Sequence, residues 1–192
     1  MPILYAERIR LRASEREDIP LFLKWVNDPD VCENLEQTTV LNRVHEEAWF
    51  ENVSKGPSEE LPLVIEVRQE TENAEGNGWV AIGNIALIDI HQVNRSAEIG
   101  IMIGEKNYWD RGFGTEAMRR MCQYGFEELN LHRIFLRVFE GNQRGIKAYQ
   151  KAGFVYEGTM RQARYHLGRY WDVDFMGIIK SEWTANPQED VV

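Results

Sequence analysis

Trp109-Asp110-Arg111-Gly112-Phe113-Gly114-Thr115-Glu116-Ala117 decides how this chain is read. Two glycines flank a single phenylalanine, and the residues behind them, Met118 to Phe126, read as a helix. Ahead of them, Ala97-Glu98-Ile99-Gly100-Ile101-Met102-Ile103 is an apolar run of strand length. Strand, glycine turn and helix start together gather backbone N–H groups that no helical carbonyl satisfies, at the positive end of a helix dipole. Such a turn holds phosphate. Glycine suits it because a side chain would keep a pyrophosphate away from those N–H groups and would oppose a positive φ. The stretch predicts an anionic cofactor lying on the turn.

The distribution of charge agrees. A formal net charge of -9 argues against nucleic acid as a general partner, which needs a basic footprint. Residues 111 to 151 nevertheless hold eight Lys/Arg against four Glu, leaving 14 basic and 27 acidic residues elsewhere. A basic segment around the glycine turn suits an anionic cofactor, and an acidic remainder suits a cationic second substrate. At 192 residues the chain can bury a core of its own, and one domain over 1–184 with a loose polar tail at 185–192 is expected. No apolar run approaches the roughly 20 residues of a membrane span. The first eight residues lack the basic-then-apolar order of a signal peptide. Cys32 and Cys122 stand far apart without metal-ligand spacing, so a cytoplasmic protein with no metal and no membrane partner is expected.

Period and punctuation place the other elements. Ile9 and Leu11 alternate with Arg8, Arg10 and Arg12 as a half-buried strand. Ser14-Glu15-Arg16-Glu17 has the spacing of a capping box, predicting a helix that Asn27-Asp28-Pro29 ends. Residues 30 to 41 show no period. A second helix is expected from Asn42 to Ser54, with Val44, Ala48, Trp49 and Val53 on one face. Strands follow at Leu61 to Arg68 and Trp79 to Ile90, the latter interrupted at Gly83-Asn84, with a polar loop at 70–78 between them. After the central helix come a strand from Arg133 to Phe139 and a helix from Asn142 to Gly153. Two last strands, Phe154 to Arg164 and Tyr170 to Ile179, surround Leu167-Gly168-Arg169. That order predicts an α/β (α+β) domain, a mixed sheet with helices on its faces.

Gly112-Phe113-Gly114-Thr115-Glu116-Ala117 also fits the dinucleotide fingerprint G-x-G-x-x-A, with Glu140 where a ribose-binding acid would sit. Eight residues, Gly104 to Arg111, separate strand from glycine, whereas the dinucleotide turn follows its strand almost directly. Three stretches in order point elsewhere: Ala97 to Ile101, Tyr108 to Ala117, and Asn142-Gln143-Arg144-Gly145-Ile146-Lys147-Ala148-Tyr149-Gln150-Lys151-Ala152-Gly153-Phe154. With them, from Arg8-Ile9-Arg10-Leu11-Arg12 to Trp171-Asp172, the chain resembles the GNAT family of N-acetyltransferases, in its ribosomal-protein N-terminal acetyltransferase-like branch. Trp109 stands where the wider family has Gln or Arg, as is common in that branch. The resemblance implies the GNAT fold, a mixed twisted sheet of about seven strands flanked by about four helices, and acetyl-CoA as co-substrate. It implies pyrophosphate on the turn formed by Arg111, Gly112, Phe113, Gly114 and Thr115. It also implies a pantetheine arm pairing like a strand with Ile101, Met102 and Ile103, and cofactor contacts from Asn142 and Lys147.

Amide formation from a thioester needs a polarised carbonyl, a neutral attacking amine and a proton for the departing thiolate. Tyr149 is the expected general acid, because a phenol of pKa ~10 is protonated at neutral pH. It lies seven residues, two helical turns, after Asn142, so both face one way. Asn142 is expected to cap the helix and to hydrogen-bond the pantetheine or a water near it. Glu98, between Ala97 and Ile99, is the expected base, directly or through water, with a structural acid paired to an arginine as the alternative. His132, His166 and Cys122 read as structural. By resemblance, residues 27 to 41 and the turn from Tyr165 to Trp171 border the acceptor. There Asp28, Asp30, Glu33, Glu36, Asp172 and Asp174 favour a cation: a peptide α-amine, polyamine, aminoglycoside or amino sugar. A non-catalytic acetyl-CoA-binding module on the same fold is the alternative from another class. Glu98, Asn142 and Tyr149 together favour the enzyme, as a monomer or homodimer.

Overall fold

The computed structural model describes residues 3–36, 39–69 and 78–185. Its elements run β1 (Leu4–Tyr5), β2 (Ile9–Ala13), α1 (Ile19–Val26), α2 (Pro29–Cys32), α3 (Arg43–Lys55), β3 (Leu63–Arg68), β4 (Trp79–His91) and β5 (Ser96–Ile103). They continue with α4 (Phe113–Glu127), β6 (Arg133–Phe139), α5 (Gln143–Ala152), β7 (Val155–His166), β8 (Arg169–Ile179) and α6 (Lys180–Ala185). The eight strands form one sheet in the order β1-β2-β3-β4-β5-β6-β8-β7. Among the described residues the expected total of about seven strands and about four helices becomes eight and six. The additions, β1, α2 and α6, span six residues or fewer, too short to show a hydrophobic period. The loop expected at 70–78 lies outside the described residues except for Gly78, as does the tail beyond Ala185.

The sheet has a core on each face. Ile9, Leu11, Ile82, Ile85, Leu87, Ala97 and Ile99 pack with Met118, Met121, Cys122 and Phe126 of α4 on one side. Phe22 and Trp25 of α1 are fully buried on the other, with Val64 and Met102, and each such burial contributes about 2–3 kcal/mol. Cys122 is fully buried, and desolvation pushes its thiol well up, which suits packing rather than nucleophilic attack. Among the described residues no helix is long and apolar enough to cross a membrane.

Two local expectations are corrected. Ser14 is not the helix cap: Glu15 caps a short 3-10 turn, and its N–H donates to Asp18 Oδ2 at 2.8 Å. Arg12 holds the Asp18 carboxylate there through two 2.7 Å hydrogen bonds, so a tertiary ion pair displaces the local motif. On α3, Val44 is 70% exposed and Ala48 faces solvent. Its inward stripe is Glu46, Trp49, Phe50 and Val53, at helical spacing.

Candidate active site

Among the described residues every strand pair is antiparallel except one. β5 and β6 run parallel and pair only through Ser96, Ala97 and Glu98 against Arg133, Ile134 and Phe135. Beyond Glu98 the strands part, so among the described residues the edge of Ile99 to Ile103 that faces β6 has no ladder partner. Such a row of backbone donors and acceptors is a template for an extended guest. The opening lies where α4 and α5 begin, so two helix N-termini point toward it. A single parallel pair and no repeated βαβ unit also rule out the dinucleotide fold.

Gly112 is the N-cap of α4 and has φ of 83°, a left-handed conformation that other residues adopt at a cost of about 1–2 kcal/mol. It turns the chain so that the N–H groups of Phe113, Gly114 and Thr115 head the helix without intrahelical partners. Glu116, the acid of that first turn, is taken up by Arg8: the Arg8 N–H donates to its Oε1 at 2.7 Å and Arg8 Nε to its Oε2 at 2.9 Å. The carboxylate nearest the helix start is thereby neutralised by a guanidinium, while Asp110, just ahead of the turn, stays on the cavity wall. Gly114 tests whether the site fits a cofactor. A Cβ there would touch only Ile103 Cγ1, at 3.8 Å, and Gly114 has no positive φ, so neither packing nor backbone requires glycine. What a side chain would fill is the cavity itself, as expected for a cradle of a pyrophosphate.

That cavity, of about 520 Å³, is lined by Ile101, Met102, Ile103, Gly112, Phe113, Gly114, Thr115, Asn142 and Lys147 of the expected cofactor residues. Arg111 is the exception. Its guanidinium lies 5.3 Å from the Tyr108 ring and 5.4 Å from the Phe113 ring, and its carbonyl accepts from Arg8. Sequence reasoning missed Arg144 and Lys151, which line the cavity beside Lys147. Their spacing on α5, three and seven residues apart, was the available signal.

A second cavity, of about 560 Å³, runs along β5 from Glu98 to Met102. Its wall carries Glu36, His45, Glu46, Trp49, Glu98 and Arg137. The two cavities share Asn34, Leu35, Ile101, Met102, Asn142 and Tyr149. Over them lies the stretch Glu33–Glu36, whose Glu33 carbonyl accepts from Arg164 of β7 at 3.0 Å and whose Glu36 pairs with Arg137 of β6 at 3.0 Å. Asn142 caps α5, its Oδ1 accepting from the Gly145 N–H at 2.9 Å. A Cβ at Gly145 would stand 2.6 Å from the Asn142 amide nitrogen, so any other residue there would displace the capping side chain. Tyr149 sits two turns further along the same helix, and desolvation pushes its phenol up to about 12. Glu98 Oε1 accepts from Arg137 Nε at 2.8 Å.

The acids expected around the acceptor divide. Asp28 and Asp30 are bound by Lys106 at 2.9 and 2.7 Å, which holds Asp28 below the usual carboxylate range. Asp172 Oδ1 accepts from the Gln162 N–H at 2.7 Å, and Asp174 bonds Thr159. Only Glu36 of that set lines the second cavity, and Glu46, which the apolar reading of α3 passed over, joins it.

Comparison with known proteins gives this arrangement its class. The model of the acetyltransferase (GNAT) domain matches residues 8–155. A spermidine N(1)-acetyltransferase of Vibrio cholerae is 30% identical over 178 residues, 92% of this chain and 95% of the relative. YdaF of Bacillus subtilis, named provisionally as a ribosomal N-acetyltransferase, is 29% identical over 166 residues, 81% of this chain and 90% of its own length. The crystal structure of the spermidine N-acetyltransferase from Vibrio cholerae in complex with CoA and spermine matches with a TM-score of 0.80 at 29% identity. That match covers 92% of this chain and 98% of the other. This chain belongs to the GNAT acetyltransferase family and is an N-acetyltransferase.

Proposed function

We propose that the protein moves an acetyl group from acetyl-CoA to a primary amine on a small, cationic acceptor, by direct attack within a ternary complex. One observation carries this reading: the cavity under the glycine turn and the acid-lined cavity along β5 meet at Ile101, Met102, Asn142 and Tyr149. A cofactor in the first and an amine in the second would bring their reacting ends together at that shared wall. The relative bound to CoA and spermine, and the name of the spermidine relative, support a cationic amine.

Acetyl-CoA supplies an acetyl group activated as a thioester, which an amine attacks with release of the thiol. Phe113, Gly114 and Thr115 hold pyrophosphate through their N–H groups, with Arg144, Lys147 and Lys151 adding positive charge. The unladdered edge of Ile101 to Ile103 orients the extended arm and offers N–H donors to the carbonyl oxygen. Asn142, its Oδ1 committed to the helix, keeps its amide N–H₂ for the same arm. Glu98 accepts the proton of the attacking amine through water at its Oε2, since Arg137 occupies Oε1. Tyr149 gives its phenolic proton to the leaving sulfur. The unpaired cysteines, Cys32 and Cys122, suit a cytoplasmic location.

Initial-velocity kinetics test the order of events. Double-reciprocal plots with acetyl-CoA and amine varied together are expected to intersect. Parallel lines would mean an acetylated enzyme and would refute direct attack.

A further inference from the structure

Glu46 is out of keeping with its surroundings. It sits on the inward stripe of α3 with Trp49, Phe50 and Val53, where an apolar side chain is the rule. It is 4% exposed, yet among the described residues its carboxylate has neither a hydrogen bond nor an ion pair. Burial pushes its pKa up, with no compensating cation among the causes. A buried, unpaired carboxylate costs stability. The side chain lies on the wall of the second cavity and does not line the first.

The other charged groups of that cavity do not serve Glu46. Arg137 is its one guanidinium, and it is already shared between Glu98, at 2.8 Å, and Glu36, at 3.0 Å. His45, on the same wall, receives the Asn42 N–H at the start of α3, at 3.5 Å. Three carboxylates thus face one guanidinium, and the unmatched one is the most deeply buried. The attacking amine must be neutral when it reacts, so it cannot be the lasting partner of this charge.

We propose that Glu46 is the counter-ion for a second, non-reacting ammonium of the acceptor, so that the acceptor class is diamines and polyamines rather than monoamines. The inference rests on the reading that the second cavity receives the acceptor. The reacting nitrogen lies at the wall shared with Tyr149, and the distal ammonium enters the α3 side of the cavity, where Glu46 and Trp49 provide a carboxylate and a ring face. Specificity then comes from desolvation. A monoamine leaves Glu46 buried and unpaired, whereas a diamine satisfies it.

Direct binding to the full chain, measured by titration calorimetry with spermidine and with n-butylamine, tests this apart from catalysis. Wild-type protein is expected to bind spermidine more tightly than n-butylamine by about tenfold or more, the effect of one charge-assisted contact. Glu46→Gln should remove about that factor for spermidine, leave n-butylamine within about twofold, and leave CoA binding unchanged. Glu46→Leu should likewise weaken spermidine while raising Tm, because it replaces a buried unpaired charge with an apolar group. Unchanged spermidine affinity in Glu46→Gln overturns the proposal, as does a parallel loss for both amines or failure of the wild type to bind spermidine. A fall in Tm for both variants overturns it too, since Glu46 would then be structural. Glu46-dependent spermidine binding without thiol release from acetyl-CoA would keep the anchor and refute the acetyl-transfer reading alone.

Discussion

Arg137 Nε donates to Glu98 Oε1 at 2.8 Å, and this pair bridges β6 and β5 where their pairing ends, Glu98 being the last paired residue of β5 and Arg137 lying two residues past its partner Phe135. Arg137 also reaches Glu36 from its Nη1, so one guanidinium fixes the carboxylate and part of the cover over both cavities. If Glu98 accepts the amine proton, Glu98→Gln lowers kcat by roughly 10²-fold or more and abolishes an ionisation in the pH–rate profile. Tm changes little, because the amide oxygen still accepts from Arg137. A variant that keeps the wild-type profile would assign proton acceptance elsewhere and leave Glu98 as Arg137's structural partner.

Tyr149→Phe keeps the ring and removes the proton. The expected result is a fall in kcat of roughly 10²-fold with the KM for acetyl-CoA nearly unchanged. The wild-type pH dependence adds a second check. With the phenol raised to about 12, its acid form persists as pH rises through 10, so kcat shows no alkaline loss at 10 from this group. A Tyr149→Phe enzyme with normal turnover would end its candidacy as the acid.

The two glycines of the turn are separable. Gly114→Val places a side chain in open cavity and should weaken CoA binding by roughly 10²-fold while leaving Tm within a few degrees. Gly112→Val should weaken CoA binding as well and also lower stability by about 1–2 kcal/mol, because it forces a β-branched residue to φ of 83°. Calorimetric titration with CoA beside thermal melts reads both quantities. Unchanged CoA affinity in Gly114→Val would refute the cradle.

Asn142→Ala removes the cap of α5, the helix that carries Tyr149. A loss of about 1 kcal/mol in denaturant unfolding is expected. Asn142→Asp, which can still accept from Gly145, should recover the stability but not the donor to the cofactor arm. Equal activity in Asn142→Asp and wild type would restrict Asn142 to capping.

Much of this fold was legible because its signals are local. The strand from Arg133 to Phe139 is found at its expected bounds, and Asn142 and Gly153 cap α5 as their side-chain chemistry and φ of 103° require. The glycine turn, and nine of the ten expected cofactor residues, lie on one cavity wall. What stayed hidden depends on distant partners. Asp28 and Asp30 looked available until Lys106 was brought beside them from after β5. Ser14 lost its capping role to Asp18, which Arg12 positions. Glu46 escaped because the face of α3 was sought among apolar residues, and a charge turned inward onto a cavity breaks that pattern without a local sign.

Acetyl passes from acetyl-CoA to an amine at the junction of the two cavities in the mechanism proposed above. The most direct test is thiol release from acetyl-CoA by the wild-type protein with a panel of N-terminal peptides, spermidine, aminoglycosides and amino sugars. Amine-dependent release is expected, one thiol per amide formed, with spermidine well ahead of monoamines. Tight acetyl-CoA binding with no release for any amine would contradict catalysis, and failure to bind acetyl-CoA would contradict the site itself.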